Sequence, residues 1–68
     1  MQLSARNQLR GRIASIKLGG IMAQVSIDIG GGNTLTSVIT RASAEEMGLD
    51  VGQEVTAVIK STEIMVAK

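Results

Sequence analysis

Residues 21–29 read Ile21-Met22-Ala23-Gln24-Val25-Ser26-Ile27-Asp28-Ile29, and this stretch decides the fold class. Ile21, Ala23, Val25, Ile27 and Ile29 fall on one side of an extended chain, with Met22, Gln24, Ser26 and Asp28 on the other. A period of two sustained over that length predicts a β-strand with one face buried. Upstream, Leu9, Gly11 and Ile13 alternate against Arg10 and Arg12, and the phase then shifts to Ala14, Ile16 and Leu18. A phase shift inside one long strand predicts a bulge or a sharp bend. Gly19-Gly20 supplies the hairpin turn between these two strands.

Downstream, Gly30-Gly31-Gly32-Asn33 predicts a second turn, and residues 34–39, rich in β-branched side chains, a third strand. Residues 55–59 predict a fourth strand and residues 63–67 a fifth, with Ile64 and Val66 on one side. The helical signal lies between the third and fourth strands. Ser43-Ala44-Glu45-Glu46 fits a capping box, with Ser43 as cap and Glu46 reaching back. Gly48 closes that helix, and Asp50-Val51-Gly52 turns into the fourth strand. The predicted fold is all-β: a small five-stranded, OB-like Greek-key barrel with one short helix, in a single domain over residues 1–68.

A domain of 68 residues buries only about 60% of its unfolded surface and needs support beyond its own core. Without Cys, disulfides and thiolate metal sites are excluded, and without His the usual zinc, copper and haem ligands are missing. Association is the support that remains. Hydrophobic residues make up 44% of the chain, all aliphatic or Met, which predicts apolar surface shared between subunits. The formal net charge of +1, from seven basic and six acidic residues, argues against bulk attraction to nucleic acid or anionic lipid. No apolar run approaches the ~20 residues of a membrane span, and the first twelve residues carry no hydrophobic signal segment, so a cytoplasmic location is expected.

Catalysis lacks its usual bases and nucleophiles, since His and Cys are absent and the carboxylates are scattered. No catalytic residue is assigned, and no site for a metal cation. A phosphate loop needs Gly-x-x-x-x-Gly-Lys-Ser/Thr running into a helix, whereas residues 30–33 run into a strand without a lysine. OB-like barrels often bind single-stranded nucleic acid, which is the alternative reading, with Arg6, Arg10 and Arg12 as phosphate contacts. That role uses aromatic stacking platforms, and Phe, Trp and Tyr are absent. A second alternative is a structural or regulatory domain whose assembly is its function.

Three short segments instead offer hydrogen-bond donors near strand ends and turns. Ser4-Ala5-Arg6-Asn7 includes the planar fork of Arg6, suited to an oxyanion. Thr40 to Ser43 lead into the helix, and Lys60-Ser61-Thr62 set a cation beside two hydroxyls. Together they form a donor set without a carboxylate, which suits a fully ionised tetrahedral dianion and disfavours a protonated phosphate.

Ser4-Ala5-Arg6-Asn7-Gln8, Thr40 with Ser43, and Thr56-Ala57-Val58-Ile59-Lys60-Ser61-Thr62 resemble the molbindin (Mop) family of small molybdate-binding proteins, over essentially the whole chain. The resemblance implies a Mop/TOBE-like domain in a homo-hexamer arranged as a trimer of dimers. It implies molybdate, or tungstate in its place, held at subunit interfaces for storage or homeostasis of molybdenum, with no membrane partner. By the same resemblance one subunit supplies Ser4, the amide of Ala5 and Arg6, with Asn7 supporting Arg6 or the local backbone. A neighbour supplies Thr40, Ser43, Lys60 and Ser61. Arg41 stands where many relatives carry a smaller or uncharged residue, next to the Thr40 position.

Overall fold

A computed structural model describes residues 4–68. Residues 1–3, which open the expected domain and the segment read for a targeting signal, lie outside the described residues.

Four strands form one antiparallel sheet: β1 (Asn7–Leu18), β2 (Met22–Gly30), β3 (Asn33–Thr40) and β4 (Glu54–Ile59), with a short helix α1 (Arg41–Glu46) between β3 and β4. The order across the sheet is β3-β2-β1-β4. Three strands meander and the fourth returns beside the first, which is the Greek-key arrangement expected from the sequence. Among the described residues, no helix is long and apolar enough to cross a membrane.

The phase shift read in β1 is a bulge. Ile13 pairs with Ile27 but Ser15 pairs with Ser26, so Ala14 is the extra residue. Beyond it Ile16 and Leu18 face Val25 and Ala23, on the side the sequence assigned them. Ala14 itself is exposed, because the inserted residue leaves the ladder and points outward. Gly31 and Gly32 take φ of +64° and +79°, the left-handed pair of a tight hairpin turn. The glycine run is thus a hairpin, further tied by Asp28 Oδ1 accepting from the Gly30 amide at 2.9 Å.

Alternation along the strands converts into a graded core. On the central strands Ile13, Ala23, Val25 and Ile27 are buried. On the outer strands the inward residues Leu35 and Ile39 of β3, and Val55 and Ala57 of β4, pack against that core yet stay half-buried. They remain so because β3 and β4 face each other across an open apolar cavity of about 800 Å³, lined among others by Ile27, Leu35, Ile39, Val55 and Ile59.

Two local expectations need correction. The helix cap is Thr40, whose side chain accepts from the Ser43 amide; Ser43 is the third helical residue and Glu46 ends the helix. The helix begins early because the Arg41 amide donates to the Ile21 carbonyl at 2.7 Å, which fixes where the chain leaves β3. Its end is as read: Gly48 has φ +61°, and the amides of Gly48 and Leu49 donate to the carbonyls of Glu45 and Ala44, a Schellman closure. The fifth strand is absent within the chain. Ser61–Glu63 form a 3-10 turn and Ile64 is extended, but residues 64–68 enter no ladder. They pair with neither free edge of the same chain, and Met65 and Val66 are both 93% exposed.

Candidate functional site

The register of β1 against β4 builds the first part of the site. Asn7 pairs with Ile59 and Gln8 with Val58, so the residues preceding β1 meet those following β4. Segments separated by more than fifty positions are thereby placed side by side: Asn7 Nδ2 donates to Ser61 Oγ at 3.3 Å across a sequence separation of 54. The lead-in to β1 is shaped locally, with Gln8 Nε2 donating to the Ala5 carbonyl at 3.1 Å. Lys60 caps the 3-10 turn, where the Glu63 amide donates to its carbonyl at 2.9 Å. Ser4, Arg6, Lys60 and Ser61 are exposed, while Ala5 and Asn7 are half-buried.

Electrostatics single out two of these cations. Among the described residues the ion pairs are Arg10–Glu54 and Arg41–Glu45. Arg6 and Lys60 have no carboxylate partner in that set. Arg10 and Arg12 are engaged on the sheet face, Arg10 by Glu54 Oε1 and Arg12 by the Gly52 carbonyl, each at 3.1 Å. Two of the three side chains that a phosphate-tracking groove would have used are therefore already held by protein acceptors, as expected of a solvated strand face.

Thr40 and Ser43 form the second part, at the far end of the sheet. Thr40 pairs with Met22, next to the β1–β2 hairpin, whereas Asn7 and Ser61 lie where β1 begins. Thr40 Oγ1 accepts from the Ser43 amide at 3.1 Å and donates to Ser43 Oγ at 2.7 Å. Arg41 is turned to the hairpin, with Nε on Glu45 Oε1 at 2.7 Å and Nη1 on the Gly19 carbonyl at 3.1 Å. Two of its five donors are thus occupied beside Thr40, which the sequence alone did not show. In one chain, then, the register brings the segment that holds Ser4, Ala5, Arg6 and Asn7 beside the segment that holds Lys60 and Ser61, with the contact made by Asn7 on Ser61, and sets Thr40 with Ser43 at the other end of β1. The Asn7–Ser61 bond was not foreseen, since it depends on the β1–β4 register.

Fold and donor cluster together define a small OB-like barrel module that presents hydrogen-bond donors at its strand ends. The TOBE domain family matches residues 3–66. Molybdenum-pterin-binding protein 1 of Clostridium pasteurianum is 52% identical over 66 residues, covering 97% of each chain. The solved structure of a molybdate binding protein from Sporomusa ovata superposes with a TM-score of 0.93 at 37% identity, over the full length of both chains. The cytoplasmic molybdate-binding protein ModG, solved with molybdate bound, gives a TM-score of 0.85 at 43% identity over 90% of this chain and 43% of ModG. The chain belongs to the TOBE domain family, within its molbindin (Mop) group.

Proposed function

We propose that this chain acts as a cytoplasmic binding protein, without catalytic activity, that holds molybdate, or tungstate in its place, for storage or homeostasis of molybdenum. The observation that carries this reading is the pair of unpartnered cations, Arg6 and Lys60, set with the hydroxyls of Ser4 and Ser61 at one end of the β1–β4 ladder. A tetrahedral dianion has acceptors only, and charge-assisted donors are what it needs. The molybdate-binding relatives supply the identity of the ion.

The site is completed between copies of the chain. One subunit contributes Ser4, the Ala5 amide, Arg6, Lys60 and Ser61, which its β1–β4 ladder sets at one end, and a neighbour contributes Thr40 and Ser43; Lys60 and Ser61 are thus grouped with Arg6 rather than with Thr40. The separation of the Thr40 end from the Asn7 end favours this division, because one small anion does not span a 12-residue strand at ~3.3 Å per residue. The open edge of the barrel favours association independently. Residues 64–68 carry a strand pattern without a partner, and the cavity between β3 and β4 is an apolar slot with two free strand edges. A tail from a second copy fits that slot by strand addition. The assembly is a hexamer built as a trimer of such dimers.

Native mass measurement with and without molybdate tests both statements at once. The expected result is one oligomer that gains a fixed number of molybdate ions and gains none with sulfate. A monomer, or no stoichiometric gain in equilibrium dialysis, would remove the proposal.

A further inference from the structure

Resting on the molybdate reading, we propose that Asn7 is a positioning residue which acts on the anion through Ser61 and thereby selects against oxyanions that carry a proton. A serine hydroxyl has one proton to donate and lone pairs that accept, whereas the amide nitrogen of asparagine only donates. In the bond from Asn7 Nδ2 to Ser61 Oγ, 3.3 Å long, Ser61 is the acceptor. Its own proton is left to donate outward, and Ser61 is exposed to receive a ligand. Asn7 is half-buried and its backbone is fixed opposite Ile59 in the β1–β4 ladder, so the donor is delivered from a rigid strand. Donation into Ser61 Oγ also polarises its O–H, making it a better donor.

Specificity follows from the occupied lone pair. A fully ionised dianion presents acceptors alone and is served by Ser61 as a donor. Hydrogen phosphate has the same formal charge but also an O–H that seeks an acceptor. Ser61 is the hydroxyl beside Lys60 that could turn to accept it, and Asn7 already takes one of its two lone pairs, which makes the oxygen a poorer second acceptor and a better donor. A side chain that never touches the anion thus keeps the hydroxyl in its donating sense.

The test measures affinities for molybdate and for inorganic phosphate near pH 8, by equilibrium dialysis, for the unmodified chain, Asn7→Ala, Ser61→Ala and the double variant. Ser61→Ala should weaken molybdate binding roughly tenfold to a hundredfold, the loss of a hydrogen bond to a charged group. Asn7→Ala should lower the molybdate-to-phosphate affinity ratio about threefold to tenfold. In the Ser61→Ala background the same Asn7 substitution should leave that ratio unchanged, which a general role in folding would not predict. If Asn7→Ala does not assemble, the isosteric Asn7→Asp replaces it; its carboxylate accepts a hydrogen bond from the Ser61 hydroxyl and so turns that donor away from the anion, and the ratio should again fall. An Asn7 effect of equal size with and without Ser61 overturns the proposal alone. Failure of the unmodified chain to bind molybdate overturns the parent reading, and this one with it.

Discussion

Substituting Val66 by Asp tests whether the unpaired tail is the strand that closes another copy's barrel. In the single chain Val66 is 93% exposed and Ile64 is 48% exposed, so nothing within the chain accounts for two large apolar side chains at alternate positions. Placed in the slot between β3 and β4, Val66 would lose nearly all of that exposure. Burying a valine contributes about 1.5–3 kcal/mol, and a reciprocal exchange of tails counts it twice, about 3–6 kcal/mol per dimer. Val66→Asp removes that term and sets a carboxylate against an apolar wall, so the total loss exceeds the apolar share. Dimer affinity should fall by at least roughly a hundredfold to ten-thousandfold. Sedimentation over a dilution series, supported by native mass, reads this directly. Met65 supplies the internal control, because it is equally exposed at 93% but lies on the opposite side of an extended tail. Met65→Asp should leave association within about tenfold of the parent. Equal losses from the two variants, or no loss from Val66→Asp, would refute the strand-exchange reasoning.

Three further outcomes are expected. Molybdate at 100 times its dissociation constant should stabilise the folded form by about 2.7 kcal/mol per independent site, an upward Tm shift on the order of 10 °C for a domain this small, with sulfate giving none. Arg6→Ala should weaken molybdate binding roughly tenfold to a hundredfold, the loss of a charge-assisted contact, whereas Arg10→Ala, which breaks the exposed Glu54 pair, should change it less than about threefold; dialysis with both variants decides whether the named donor or the general positive face matters. Gly11→Ala should destabilise by about 1–3 kcal/mol or more, because a methyl there would sit 2.5 Å from the Asp28 carbonyl oxygen and 2.7 Å from Ile27 Cγ2; a chemical denaturation curve unchanged by this substitution would contradict the packing of β1 on β2.

How much of this was legible in the sequence depends on the range of the interaction that decides each feature. Periodicity is local, so the strand over Met22–Gly30, the phase shift at Ala14 and the glycine hairpin could be read directly. The helix start could not. Ser43 with Glu46 satisfies a capping box on paper, but the bond from the Arg41 amide to the Ile21 carbonyl begins the helix one turn earlier and hands the cap to Thr40. The fifth strand shows a different limit. Alternation at Ile64 and Val66 says that one face is to be buried, but it carries no information about which chain does the burying. The site divides in the same way. Donor chemistry marked Arg6, Lys60 and Ser61, and the family resemblance named the ion. The bond between Asn7 and Ser61, 54 positions apart, depends on the register of β1 against β4, which no short window contains.

The positions of tail and donors have a mechanical consequence. The 3-10 turn Ser61–Glu63 has a site hydroxyl as its first residue, and Ile64, the first residue of the unpaired tail, follows it directly. Order in the tail would therefore reach Ser61 across Thr62 and Glu63 alone, and the start of β1 through the Asn7 bond. When the tail is unpaired, that turn is held mainly by its own bond from the Glu63 amide to the Lys60 carbonyl. If a second copy's edges capture the tail, as proposed, the turn would be fixed at both ends and the Ser61 donor would lose its freedom before the anion arrives. The ordering cost then falls on association, leaving less for the ligand to offset. By linkage the anion must strengthen association by the same factor. A small core and an ion site built on the same strand end are thus two parts of one equilibrium, and any substitution that loosens the tail should weaken molybdate binding without touching a single donor.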